Sequence, residues 1–383
     1  MSEIRVDTIS EKTSGSGTTV SNLKNPNQPF RNLIINGDMS IAQRGTSFAS
    51  VGNTDSQYTL DRWKFTEEGD FGAAEITITQ DTDVPTGEGF AKSLKCVCAT
   101  VDTSIDSGTI AYIEQRIEGQ NLQHIAKGTS GAKKMTYSFF CKSNLTGTFT
   151  IAFFDQDNTR SFTTSYSLAS ANTWERIVIN IPADTTGAFT NDNNTSFIIQ
   201  MNLQAGTSKS NGALATAFEA TSQGDRAVGQ TNFFSSTDNN WYITGCQLEV
   251  GETATDFEHL PHDVQLQRCQ RYCAVLGGTH ETTATFGTIG VGYVTASTQA
   301  FITYQHIVPM RGLPSETTSA DSHFCLADSV GSVVACTGIA INQAGSDRTL
   351  FLATTAGSLT AARPTTLLAN NNASATLTLD AEL

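Results

Sequence analysis

The sequence predicts an all-β protein: a large jelly-roll sandwich, followed by one linking helix and a smaller C-terminal β domain. Three observations carry that expectation. Short runs with strict apolar–polar alternation recur along the chain. They are separated by turns rich in Asp, Asn, Gly and Thr, such as Asp184-Thr-Thr-Gly187 and Asp192-Asn-Asn194. A helical period interrupts them at one place, residues 259–276. Many short strands without helices between them indicate a sandwich or barrel rather than a parallel α/β sheet.

The 383 residues suit two or three domains, and four segments emerge. Residues 1–29 read as an attachment leader or linker. Ile4, Val6 and Ile9 suggest a short strand, followed by a Gly/Ser run and Asn25-Pro26-Asn27-Gln28-Pro29. So small a piece cannot build its own core and needs a neighbour to order it. Residues 30–258 carry the sandwich strands, expected at 75–80, 93–98, 109–117, 134–142, 147–154, 174–181, 195–203 and 240–248. Residues 259–278 form the linking helix, with Pro261 and Asp263 at its start, a Leu266/Cys269/Cys273 stripe and Gly277-Gly278 as its stop. Residues 279–383 return to β structure at 286–294, 300–308, 324–341, 348–354 and 376–380, with Asn370-Asn371-Asn372 as a turn before the last strand.

A period of two assigns faces. Met135, Tyr137, Phe139 and Cys141 share one side of their strand. So do Phe197, Ile199, Met201 and Leu203, and likewise Ile177, Ile179 and Ile181. Those sides make the core. The opposite sides carry Tyr112, Glu114 and Arg116, then Arg176 and Asn180, Gln200 and Asn202, and Gln247. Amide, carboxylate, Arg and aromatic groups of this kind bind sugar hydroxyls and stack on pyranose rings. The eight residues are therefore candidate glycan-binding groups. The other readings of the same faces are an ordinary solvated surface and an oligomer interface.

Composition excludes several classes. The formal charge is −14, from 23 Lys and Arg against 37 Asp and Glu. Such a balance argues against nucleic acid or an anionic membrane surface as the main partner, since both reward clustered cations. A hydrophobic fraction of 38% with 21 Phe is too apolar for a disordered chain. No run approaches the length of a transmembrane helix, so no membrane insertion is expected. The N-terminus lacks a secretory signal, and synthesis in a cytoplasm is expected. Of the eight cysteines, Cys96, Cys98, Cys141 and Cys246 lie in strand-like runs as small apolar groups. Cys269 and Cys273 with His259 and His262 offer zinc-like ligand types, but the spacing favours packing. Nucleotide loops, His-Glu-x-x-His and the EF-hand pattern do not occur. The acid pairs Glu67/Glu68 and Asp155/Asp157 read as turn residues, so no enzyme activity is expected.

Two sets of motifs bracket residues 30–275. One is Asn32-Leu-Ile-Ile-Asn-Gly-Asp-Met-Ser-Ile-Ala-Gln-Arg-Gly45 with Tyr58-Thr-Leu-Asp-Arg-Trp63. The other is Trp241-Tyr-Ile-Thr-Gly-Cys-Gln-Leu-Glu-Val-Gly251, Ala254-Thr-Asp-Phe-Glu258 and Arg268-Cys-Gln-Arg-Tyr-Cys273. In that order they resemble the carbohydrate-binding-module-like jelly roll of bacteriophage tail-fibre and virion appendage proteins. The leader Glu3-Ile-Arg-Val-Asp-Thr-Ile-Ser10 and Val308-Pro-Met-Arg-Gly-Leu-Pro314 are similar to pieces of the same proteins. The resemblance implies a virion structural protein in a tail fibre or similar appendage, contacting host-surface glycans. It also implies a homotrimer, which edge-rich β domains favour as well, and attachment to other virion proteins through residues 1–29. A head fibre or tail connector without receptor binding is the alternative, and a glycan depolymerase a third. Glycan-binding jelly rolls often hold a structural calcium. Here the resemblance points to Asp38 and Glu249 as its ligands, with Met39 and Ser40 standing where the family pattern has an aromatic and an acid.

Overall fold

The computed structural model describes residues 30–52, 56–102, 104–277, 287–328, 333–357 and 359–383. The leader expected at residues 1–29 lies outside the described residues. Among the described residues, thirteen strands precede the linking segment. They are β1 (Ser47–Gly52), β2 (Gln57–Tyr58), β3 (Lys64–Glu68), β4 (Glu75–Asp81), β5 (Ser93–Thr100), β6 (Ile110–Glu118) and β7 (Met135–Ser143). Then come β8 (Gly147–Asp155), β9 (Arg160–Leu168), β10 (Glu175–Ile181), β11 (Thr195–Ala205), β12 (Glu219–Ala220) and β13 (Asn240–Val250). One sheet has the order β1-β4-β5-β13-β7-β10, and the facing sheet β12-β9-β8-β11-β6-β3-β2. The protein is an all-β sandwich followed by a helix and further β structure, as the alternation requires.

Burial follows the period of two. Met135, Tyr137, Phe139 and Cys141 of β7, and Phe197, Ile199, Met201 and Leu203 of β11, all enter one core with Trp63 and Trp241. Phe153 stacks on Phe197 with centroids 6.2 Å apart, and Phe139 meets Tyr166 edge to face at 5.2 Å. Rings of this size, fully removed from water, dominate the hydrophobic stabilisation of the sandwich.

The linking helix is shorter than the sequence suggests. It spans His262–Gln270, and Cys273 already opens the strand β14 (Cys273–Gly277). Cys273-Ala-Val-Leu-Gly is a compact apolar run, and it pairs with the last strand rather than completing a helical stripe. Cys269 packs with Ile35, Ile41 and Tyr272. The segment is also tied by ions: the buried Arg62 guanidinium lies 3.5 Å from the Tyr272 ring centroid and pairs with Glu382.

Beyond it come β15 (Thr288–Ala296), β16 (Gln299–Gln305), β17 (Ser315–Thr318), β18 (Phe324–Asp328), β19 (Val333–Ala344), β20 (Arg348–Thr355), β21 (Pro364–Ala369) and β22 (Thr376–Asp380). Six of them close a barrel, β15-β16-β20-β19-β18-β21, around Phe324, Leu326, Phe351 and Leu367. The remaining order is β14-β22-β17. The single run expected at 324–341 is two antiparallel strands, β18 and β19. Met310 and Arg311 of the Val308–Pro314 motif are structural: Met310 joins the barrel core, and Arg311 donates to the carbonyls of Ala381 and Glu382. Among the described residues, no helix is long and apolar enough to cross a membrane.

Candidate functional site

The eight candidate residues do not form one site. Tyr112, Glu114, Arg116, Gln200 and Asn202 lie on the outer face of the seven-stranded sheet, because β6 and β11 are neighbours there. Arg176, Asn180 and Gln247 lie on the outer face of the other sheet, on β10 and β13. The two groups point away from each other.

Several of them are also unavailable to a ligand. Gln247 is fully buried: its amide donates to Glu249, Thr255 and Asp256, and its carbonyl accepts from the Glu258 N–H. Asn202 donates to Thr150 and to the Arg226 carbonyl. Glu114 is 0% exposed and accepts from Thr66, Gln200 and Arg116. The physical reason is cover. Residues 206–231 cross the seven-stranded sheet, with Ala227 packed on Ile110 and Tyr112, and residues 255–258 cross β13. Alternation sets the direction of a side chain but not what lies above it. Asn180 remains exposed beside Thr136, and Arg176 remains exposed with one nitrogen donating to the Thr255 carbonyl at 2.6 Å.

What the covering segment leaves open on the seven-stranded sheet is a cleft of about 330 Å³. Its floor is Tyr112, Phe154 and Ile198, and its rim carries Arg116, Gln156 and Gln223 with Thr159 and Thr221. At one wall an ionic network is closed on itself. Arg226 grips Glu68 with two hydrogen bonds of 2.6 and 2.8 Å, and Tyr112 Oη donates to the same carboxylate at 2.8 Å. The Arg226 guanidinium also lies 5.6 Å from the Tyr112 ring and 5.3 Å from the Phe154 ring. Burial alone would push the Glu68 carboxyl up. The hydrogen bonds and charge of Arg226, aided by Tyr112 and Lys209, outweigh it and hold that carboxyl down to about 2. Glu68 is therefore a fixed anion near neutral pH, and it ends strand β3 rather than lying in a turn.

Sequence reading missed Glu68, Phe154, Arg226 and Gln156 as cleft residues. Glu68 and Arg226 are 158 positions apart, so no local spacing announces the pair. Asp155 is likewise not a solvated turn residue: it is buried and takes the Lys127 ammonium at 2.5 Å.

The opposite face holds a second cleft, of about 240 Å³, lined by Phe140, Phe257, His259, Arg176, Glu88 and Asp256 with Ser138 and the glycines 87 and 245. Beside it runs a cation–aromatic ladder. Lys142 lies 4.4 Å from the Tyr242 ring and 5.3 Å from Trp174, whose indole N–H donates to Asp83 at 2.9 Å.

The calcium ligands named above do not fit a cation. Both Glu249 oxygens already accept from Thr255, one of them from Gln247 as well, and Arg31 stands 3.8 Å away. Asp38 accepts from the backbone and hydroxyl of Ser40. The motif around them is a strap instead. Asn32 bonds Leu248 and Cys246, Asn36 bonds Ile41 and Asp61, and a Cβ on Gly37 would fall 2.1 Å from the Cys246 carbonyl oxygen. Among the described residues, no three His, Cys, Asp or Glu side chains are grouped to hold a metal. All eight cysteines are free and buried. Burial raises the Cys98 and Cys325 thiols to about 11 and those of Cys246 and Cys336 to about 12.

No family model matches the chain, and no curated protein matches it. Solved structures similar to it include the enzymatically active domain of tailspike protein 4 from bacteriophage CBA120. The identity is 15% and the TM-score 0.31, over 58% of this chain and 22% of that one, so the chain spans about a fifth of that solved domain. A family 11 carbohydrate-binding module from Clostridium thermocellum, solved with a mixed-linked tetrasaccharide, is 10% identical over 56% of this chain and 98% of its own, with TM-score 0.27. The CBM22-1 xylan-binding domain from Paenibacillus barcinonensis Xyn10C is 8% identical over 50% and 87%, with TM-score 0.24. The structural neighbours are thus carbohydrate-binding modules and a phage tailspike domain, all at low identity.

Proposed function

We propose that this chain is a non-enzymatic saccharide-binding protein of a phage appendage, a tail fibre or fibre-like component that touches host-surface glycans. The observation that carries the binding role is the cleft on the seven-stranded sheet. It sets amide, hydroxyl and guanidinium groups around an aromatic and aliphatic floor, a lining suited to the hydroxyls and C–H faces of a sugar. Arg116, Gln156 and Gln223 take the hydroxyl-bonding role. Glu68 is held as a carboxylate by Arg226 and Tyr112, so it does not act as a proton donor near neutral pH. The virion setting, the homotrimer and docking through residues 1–29 are proposed on the motif resemblance.

A glycan array of bacterial surface polysaccharides tests the reading. The wild-type protein is expected to bind a subset, and a variant with the exposed Gln156 replaced, Gln156→Ala, to weaken that signal while keeping its melting temperature. A flat array for the wild type removes receptor binding. One observation favours the architectural alternative, a head fibre or connector: Glu68, Arg226, Gln200, Glu114 and Arg116 satisfy one another without a ligand. A particle map with the sandwich face covered by another virion protein supports that alternative.

A further inference from the structure

We propose that the sandwich carries a second saccharide site, on the outer face of the six-stranded sheet, where Phe140 and Phe257 form an aromatic shelf between Arg176, Glu88, Asp256 and His259. It shares no residue with the cleft described above and does not depend on that cleft binding anything.

The shelf departs from the pattern around it. On the outer side of β7 the neighbours of Phe140 are Ser138 and Lys142, yet Phe140 stands there half-buried with a cleft open above it. Beneath lies Phe90, its ring centroid 5.6 Å from Phe140, 5.1 Å from Phe257 and 5.2 Å from the exposed His259 imidazole. Phe257 and His259 meet edge to face at 4.9 Å. Interlocked rings in edge-to-face contact hold one another rigidly, so little side-chain freedom is lost when a ligand settles on them.

The backbone is shaped to allow this cluster. Between Thr244 and Gln247 the pairing of β13 with β7 shifts register, and Gly245 sits in that bulge with φ +65. A Cβ there would fall 2.6 Å from Phe90 Cζ and 3.0 Å from Phe140 Cδ2. Gly89, at φ +81, brings its backbone against the imidazole: a Cβ would stand 3.2 Å from His259 Nε2. Bulges that re-aim side chains are frequent beside functional sites.

The chemistry narrows the ligand. Glu88 and Asp256 repel a phosphate or an anionic lipid, while Arg176 opposes a simple cation. The Arg176 guanidinium is oriented by the Thr255 carbonyl, and the Asp256 backbone is fixed by Gln247. Rigid aromatic carbon flanked by carboxylates and one guanidinium matches a hexose ring: its C–H face on the rings, its hydroxyls donating to the acids and accepting from Arg176. With two clefts facing opposite ways, one sandwich can engage two sugar chains and gain avidity without added contacts in either.

Backbone amide NMR of the full chain, titrated with methyl glycosides of glucose, galactose and N-acetylglucosamine, tests the proposal. Shifts are expected to cluster at Gly87, Phe140, Gly245 and Phe257. Both Arg176→Ala and Glu88→Gln, at exposed positions, are expected to weaken them about tenfold without unfolding the protein. Shifts confined to Tyr112, Gln156 and Gln200 would overturn this site and leave the first cleft standing. An absence of shifts with all three sugars would overturn it too, while the polysaccharide array judges the first cleft separately.

Discussion

The two outer faces of the sandwich start from the same alternation and end in different states. On the seven-stranded sheet, residues 206–231 fold over the polar side, and the charged groups beneath are locked together: Arg226 on Glu68, Gln200 between Arg226 and Glu114, Arg116 on Glu114. On the six-stranded sheet Gln247 and Lys142 are buried, while the outward groups of β10 stay near solvent. Arg176 and Asn180 are exposed, Lys142 rests on Tyr242 and Trp174, and Phe140 and Phe257 line an open cleft. Strand periodicity thus determines which way a residue faces, and the covering loops determine whether that residue is locked into the fold or left open to solvent.

The contrast can be broken at either face. Removing Arg226 leaves the Glu68 carboxylate without its main partner, so Arg226→Ala is expected to cost about 2–3 kcal/mol. That is less than a fully buried pair, because Glu68 is partly solvated. Chemical denaturation measures this, and a loss under about 0.5 kcal/mol would make the locked face no different from an open one. Gly245→Ala forces a side chain into a left-handed conformation against Phe90, and about 2 kcal/mol is expected. Its diagnostic readout is the loss of NMR contacts between the Phe90 and Phe140 rings.

Acid sharpens the comparison further. Glu68 has its carboxyl lowered in the folded protein, so its contribution is present above the unfolded value and is lost as pH falls toward about 2. With allowance for solvent screening, about 1 kcal/mol is expected to disappear between pH about 4.5 and 2. Arg226→Ala should flatten that part of the stability curve, and an unchanged slope would contradict the assignment. The smallest effect belongs to the open face: Arg176→Ala should alter stability by less than about 0.5 kcal/mol, in the same denaturation assay, whatever it does to binding.

Much of the architecture was legible in the chain. Strands such as 134–142 and 195–203 announce both their extent and their inward side, since Met135, Tyr137, Phe139 and Cys141, like Phe197 through Leu203, are apolar at every second position. Strand β9 was not read, because Thr164 interrupts the apolar side formed by Phe162, Tyr166 and Leu168. Nor was β14, where Cys273 fits a helical stripe and a short apolar strand equally well. The clefts were harder. Arg116 and Arg176 were found as outward residues, but they belong to opposite faces, which only the strand order reveals. Gln247 and Asn202 pointed outward and proved buried, because the segments that cover them come from elsewhere in the chain. Glu258 meets Gln247, and Arg226 meets Asn202.

The central claim is that the outer surface of this sandwich recognises saccharide. Affinity electrophoresis of the native protein through gels containing bacterial capsular or lipopolysaccharide chains tests it most directly. The account predicts retardation of the wild type and partial release for Gln156→Ala or for Arg176→Ala. Free migration of the wild type through every such gel would contradict it.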